Sequence, residues 1–260
     1  MDLNLGGKTV VVTGGSRGIG RAVVLGLLAE GANVGTCARH REDLAALTAQ
    51  AGADAPLLWE ALDVREPAAV ARFMLAVATR FGGIDGLVVN AGAGTTGGVL
   101  SATDDDFRTQ FDIKVGAALG TVRAALPYLR RSATPRVVII NAVTAHAPEA
   151  GLAAVGAARS ALSNVGVLLA EELAPEGICV NRLNLGPIVT DRQRAAYDAS
   201  GTTQSYADGL AVTAVRRGVP LGRMGDVAEV VPWVLLLLSP LAGYVTGADL
   251  AVAGGLGMRV

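Results

Sequence analysis

An apolar run, Lys8-Thr9-Val10-Val11-Val12, passes directly into Thr13-Gly14-Gly15-Ser16-Arg17-Gly18-Ile19-Gly20 and then into a helical pattern that begins near Arg21. Nothing else in the chain restricts its fold as much. Glycines permit a tight turn and close approach of the backbone, and the N–H groups that open the following helix attract anionic oxygens. Strand, glycine turn and helix in this order form the phosphate-binding corner of a dinucleotide site. Gly14, Ser16, Arg17, Gly18, Ile19 and Gly20 are therefore the expected cofactor-binding residues at this corner.

Short aliphatic runs recur at residues 9–12, 32–37, 57–62, 86–89, 136–140, 179–185 and 248–252, with helical stretches between them. Most are continuously apolar, which suits strands covered on both faces, and the spacers supply the covering layers. The expected fold is α/β, a single-domain Rossmann fold over residues 1–260 whose doubly wound parallel sheet has helices on both faces. Residues 104–129 and 153–173 carry long helical patterns, each followed by Pro or Gly, and are expected to pack on the same face. The more polar stretch 191–218 reads as a flap over a substrate, and no repeat or linker divides the chain.

The end of the second strand distinguishes the two nicotinamide dinucleotides. An acid there accepts hydrogen bonds from a free ribose 2′-hydroxyl, whereas Arg neutralises a 2′-phosphate. It reads Thr36-Cys37-Ala38-Arg39, with no acid before Arg39, and Arg17 in the glycine turn can reach the same phosphate. NADP(H) is favoured over NAD(H), against the alternative that Arg39 and Arg41 are solvated charges at a helix start.

With 22 Lys and Arg against 23 Asp and Glu, the net charge of -1 gives no overall field for nucleic acid or an anionic membrane, and neither is an expected partner. The longest aliphatic run, 234–238, falls far short of the roughly 20 residues that cross a bilayer. The N-terminus lacks a basic segment followed by an apolar one, so a cytoplasmic location is expected. A hydrophobic content of 51% suggests buried interfaces and hence a homo-oligomer. Cys37 and Cys179 lie in apolar runs and read as small buried hydrophobes, and no metal site is expected.

These segments together resemble the short-chain dehydrogenase/reductase family. Residues 13–20 match its TGxxxGxG turn, Asn90-Ala91-Gly92 its NAG segment after the fourth strand, and Leu62-Asp63-Val64 its Asp-Val pair beside the adenine. Pro220-Leu221-Gly222-Arg223, Thr246-Gly247 and Gly254-Gly255 are similar to its C-terminal part. The resemblance implies a seven-stranded sheet, a small-molecule substrate, a dimer or tetramer built on the two long helices, and cofactor contacts at Asp63, Val64, Asn90, Ala91 and Gly92. Leu185-Gly186-Pro187-Ile188-Val189-Thr190 matches the family's PGxxxT segment except at Leu185. It places Gly186, the Ile188 backbone and the Thr190 hydroxyl at the nicotinamide.

The catalytic positions depart from the family pattern. In the family a Tyr exchanges the proton at the carbonyl oxygen, and a Lys four residues later lowers its pKa and binds the nicotinamide ribose. Aligning the helix that precedes Ala170-Glu171-Glu172-Leu173 puts Val155 at the Tyr position and Arg159 at the Lys position. Valine carries no proton, and Arg159 can hydrogen-bond ribose hydroxyls but is a poor proton relay. The family's helical Asn appears as Lys114 and its Ser as Thr144, which lies two residues closer to Val155 than usual. Lys114 is either a substitute acid and oxyanion stabiliser or a solvated helix-edge lysine. Thr144 bonds a substrate oxygen or local backbone, and His146 is a catalytic group or an exposed loop residue. Tyr197 and Tyr206 close over a substrate or simply pack the flap.

Three functions remain compatible with this pattern. One is an NADP(H)-dependent oxidoreductase acting on a carbonyl, imine or alcohol through an atypical site. Another is a dehydratase, cyclase or isomerase using Lys114, His146 or Thr144, with a structural dinucleotide. A third is a non-catalytic NADP(H)-binding protein, and fold alone does not choose among them.

Overall fold

The computed structural model describes residues 2–201 and 204–257. Its strands are β1 (Thr9–Thr13), β2 (Asn33–Ala38), β3 (Leu57–Ala61), β4 (Gly86–Val89), β5 (Arg136–Ala142), β6 (Cys179–Leu185), β7 (Ile188–Val189), β8 (Gly225–Asp226) and β9 (Asp249–Val252). Seven form one parallel sheet in the order β3-β2-β1-β4-β5-β6-β9, and these are the seven expected runs with ends moved by at most two residues. β7 and β8 form a separate two-stranded parallel ladder.

The continuous apolar runs follow from this topology. Successive side chains of a strand point to opposite faces, so each run feeds two cores. Val10, Val12, Val88, Val138 and Leu183 pack with α1 (Gly18–Ala29) and α9 (Val227–Leu238). Val11, Leu87, Val137, Ile139 and Val180 pack with α3 (Pro67–Phe81), α5 (Ala117–Leu129) and α6 (Ala153–Leu173). The two long helical segments thus share one face, as their patterns predict. α2 (Arg41–Ala51) follows β2 and buries Leu44 and Leu47. β1 pairs with β2 on one side and β4 on the other, so the winding reverses there and opens a ligand crevice beyond the strand ends.

Two expectations need correction. The stretch 104–129 is not one regular helix: α4 (Asp104–Phe111) runs into a wide π turn, Asp112–Gly116, before α5 begins. That turn carries Lys114, whose side chain reaches inward, and such one-turn insertions recur at functional positions. The aliphatic-run criterion also overlooked Ala153–Glu176, which by length and composition could cross a membrane. In this fold its Leu162, Ala170 and Leu173 close the second core.

The flap region holds α7 (Asp191–Ala199), which is polar along most of its length, and α8 (Tyr206–Arg216). Tyr197 and Tyr206 meet edge to face with centroids 4.9 Å apart, and the Arg194 guanidinium lies 4.7 Å from the Tyr206 ring centre. Arg217 returns to Glu149 at 2.8 Å, tying the end of the flap to the loop before α6. Both cysteines are buried and unpaired, and burial pushes the Cys37 thiol up to about 12.

Candidate active site and cofactor cleft

The glycine turn is built jointly by β1 and β4. Asn90 Nδ2 donates to the carbonyls of Thr13 at 2.9 Å and Gly14 at 3.1 Å. The backbone N–H groups of Asn90 and Ala91 donate to Thr13 Oγ1 at 3.0 and 3.1 Å. A side chain at Gly20 would place Cβ 2.2 Å from the Gly14 carbonyl and 2.5 Å from Asn90 Nδ2; one at Gly14 would meet Ala91 Cα at 2.9 Å. Gly14, Gly20, Asn90 and Ala91 therefore serve the brace that shapes the turn, with the Asn90 amide spent on backbone oxygens.

Gly18 and the start of α1 face the crevice. Gly18 has φ +51, and a Cβ there would stand 3.4 Å from Thr190. α1 starts without a side-chain cap and without an acid in its first turn, whereas α4, α7 and α9 are closed by capping boxes. Uncapped N–H groups beside a glycine-lined gap fit a pyrophosphate. Ser16 is buried in the turn and Ile19 half-buried behind it.

At the β2–β3 end of the crevice, Arg39 follows β2 and lines a pocket of about 350 Å³ with Asp63, Glu60, Glu66 and Arg72. The exposed Arg17 guanidinium is held by Asp43, with Nε 2.7 Å from Oδ2. Asp63 is held in turn by Arg65, whose NH2 lies 2.6 Å from Oδ2, and this hydrogen bonding keeps the Asp63 carboxyl below its usual range. Val64 is buried beside it. At the opposite end Gly186 lies against β9, where a Cβ would meet Ala253 Cα at 2.7 Å. Ile188 pairs with Gly225, and Thr190 caps α7 through Gln193, its N–H donating to Oε1 at 2.8 Å. Arg21 and Asp191, 2.5 Å apart, join α1 to the first residue of the flap.

The positions that the family resemblance marks as catalytic, Lys114, Thr144, Val155 and Arg159, gather around the loops that leave β4 and β5. Lys114 is 3% exposed; its Nζ donates to the Ala93 carbonyl at 2.5 Å and to Gln110 Oε1. The helix-edge, solvated alternative is thereby removed. A Cβ on Gly94 would contact a Val155 methyl at 3.6 Å, so Val155 faces the same loop, on which Gly92 is exposed. Arg159 NH1 donates to the Ile140 carbonyl at 2.8 Å and lies 3.5 Å from Asn141 Oδ1, and its Nε is buried without a partner. Burial lowers the Arg159 guanidinium to about 10. Thr144 is buried, and among the described residues its Oγ1 has no hydrogen-bond partner, local backbone included.

His146 is directed elsewhere. Its Nε2 lies 2.9 Å from Asp249 Oδ2 on edge strand β9, beside Asn184 and Arg182. Among the described residues, no group of three or more His, Cys, Asp or Glu could hold a metal ion. Gln110, Asn141 and Asp43 escaped the reading of the sequence, although Gln110 stands four residues before Lys114, a spacing that places two helical side chains together.

The profile of a protein family described as "Enoyl-(Acyl carrier protein) reductase" matches residues 14–257. The chain is 31% identical over 252 residues to the 3-oxoacyl-[acyl-carrier-protein] reductase of Salmonella typhimurium, covering 97% of this chain and 98% of that protein. It is 34% identical over 252 residues to the cyclic-di-GMP-binding biofilm dispersal mediator protein of Escherichia coli, covering 96% and 98%. Among solved structures, an NADPH-bound short chain oxidoreductase from Pseudomonas aeruginosa PAO1 containing an atypical catalytic center superposes with a TM-score of 0.92 at 34% identity, covering 97% and 98%. The L-sorbose reductase of Gluconobacter frateurii, in complex with NADPH and L-sorbose, gives 0.93 at 27% identity with full coverage of both chains, 100% and 100%.

Proposed function

The chain belongs to the short-chain dehydrogenase/reductase family, and from that premise we propose that it moves hydride between NADP(H) and a small carbonyl, imine or alcohol, with Lys114 as proton donor. NADP(H) is the cofactor: the turn and crevice fit a dinucleotide, and two structural neighbours carry NADPH. The single observation that carries the proton-donor reading is the buried Lys114 ammonium on Ala93, beside the loop on which the proton-free Val155 packs. The Pseudomonas neighbour, with its atypical catalytic center, is a precedent for such a departure.

When bound, the dinucleotide supplies or accepts the hydride. Gly18, Ile19 and Gly20 offer backbone N–H groups to its pyrophosphate, and Arg17 and Arg39 neutralise a 2′-phosphate. Arg159 binds the nicotinamide ribose, with Gly186, Ile188 and Thr190 bordering the ring. Thr144 Oγ1 donates to the substrate oxygen, and Lys114 Nζ gives that oxygen its proton during reduction and recovers one from water. His146 is given no part, since Asp249 occupies it. The segment 191–218 acts as a lid, and exposed Phe111, Val167 and Leu168 on the long-helix face form a subunit contact.

A second reading, nucleotide binding without redox turnover, is favoured by Val155 and by the likeness to the cyclic-di-GMP-binding protein. Titration with NADPH followed by a screen of carbonyl substrates, monitored by cofactor absorbance, separates the two. The unaltered chain should bind and turn over, and Lys114→Met should bind NADPH normally while losing at least about a hundredfold in kcat. Unchanged kcat in Lys114→Met refutes the donor assignment, and binding without turnover of any carbonyl supports the second reading.

A further inference from the structure

Gln110 is 1% exposed and sits one turn before Lys114, itself 3% exposed. Burying an amide beside an ammonium is costly unless each finds a partner. Here the Gln110 carboxamide oxygen and the Ala93 carbonyl, 2.5 Å from Nζ, converge on the same cation. Both acceptors are uncharged. They favour the ammonium over the free amine, against the desolvation that favours the amine, yet they do not lock the proton as a carboxylate would. We propose that Gln110 is the positioning residue for Lys114, its carboxamide holding the ammonium on the Ala93 loop where the substrate oxygen is to be met.

This inference rests on the proton-donor reading of Lys114. Among the charged groups on the elements packed around the turn, Asp104, Asp105 and Arg108 on α4, Asp112 in the turn and Arg123 on α5 are all exposed. Asp106 is held by Thr103 at the start of α4. Arg159 is the half-buried charge that α6 contributes. A neutral acceptor at position 110 therefore suits a group that must alternate between holding and releasing a proton.

The chain offers an unusually clean test, because Lys8 and Lys114 are its only lysines. The full-length protein labelled with ¹³C at lysine Cε gives two signals, which can be titrated by NMR with and without NADP. Gln110→Leu should move the Lys114 titration to lower pH by about one unit, and Gln110→Glu should move it upward, with Lys8 unmoved in both. In turnover the pH profile of kcat should follow in the same directions, with KM for NADPH within about twofold. A structural role alone would not shift the profile in opposite senses. Should Gln110→Leu fail to fold, Gln110→Glu, of the same size, still decides the matter. A Lys114 titration unchanged in the folded variants, or moved in one direction by both, overturns the assignment. If Lys114→Met keeps full turnover while the Gln110 variants still move the Lys114 signal, the donor reading falls and the positioning role stands.

Discussion

Replacing Arg159 by Met removes a charge that the fold holds at a cost. Burial lowers the guanidinium from its ordinary value to about 10, and because the side chain stays partly exposed this corresponds to at most roughly 3 kcal/mol of unfavourable desolvation. Against this stands one well-formed bond, NH1 to the Ile140 carbonyl at 2.8 Å, worth about 2 kcal/mol as a charge-assisted contact. The 3.5 Å approach to Asn141 adds little, and the buried Nε has no partner among the described residues. Met keeps the apolar stem, so Arg159→Met should be as stable as the unaltered protein or more so, by about 1 kcal/mol, raising Tm by up to about 3 °C. Because the folded-state value is lowered, the folded chain holds this proton less tightly than the unfolded one. The cost is fully present at neutral pH and is shed as pH rises through about 10, so stability gains there, and the variant should lack that gain. Urea denaturation between about pH 7 and pH 11 measures both effects. With Arg159 holding the nicotinamide ribose as proposed, NADPH affinity, read by calorimetry, should fall at least about tenfold in the variant. A drop in Tm of more than about 5 °C would show that the guanidinium stabilises the fold, and would refute this reasoning.

The glycine turn makes a prediction of opposite signs from one kind of substitution. Gly20→Ala places Cβ 2.2 Å from a backbone oxygen and should cost about 3 kcal/mol or more and abolish the stabilisation conferred by NADPH. Gly120→Ala, a helical position with nothing within 4 Å of the new atom, should stabilise by about 0.5–1 kcal/mol; paired thermal melts decide both. Hydrogen bonds from Arg223, and secondarily from the Asp226 N–H, hold the Glu229 carboxyl down to about 2. Its contribution to folding is therefore present above the ordinary carboxylate range and lost as pH falls towards 2. Carboxyl ¹³C NMR should show Glu229 titrating near 2 and returning towards ordinary values in Arg223→Ala.

The seven sheet strands were legible because each residue pair supplies both cores, leaving unbroken runs such as Val10-Val11-Val12. β7 and β8 were not, since a two-residue ladder leaves no pattern. The dinucleotide corner was legible for a local reason: its glycines, strand and helix are adjacent in the chain. Long-range partnerships were hidden. Asn90 reads as a cofactor contact, yet its amide is committed to Thr13, 77 residues away. His146 reads as a titratable loop group, yet it pairs with Asp249, 103 residues away. Lys114 and Gln110 lay between these cases. Their spacing was visible, but a helix pattern does not say which face a π turn rolls inward.

The Asn90 brace also fixes when the cofactor corner comes into being. The Thr13 and Gly14 carbonyls are without their amide donor until β4 has docked beside β1, across two intervening helix–strand units. The first Rossmann unit taken alone therefore lacks the donor that shapes its phosphate-binding turn. The nucleotide thus enters a turn that β4 has braced, while the Gly186–Thr190 segment after β6 completes the far end of the crevice.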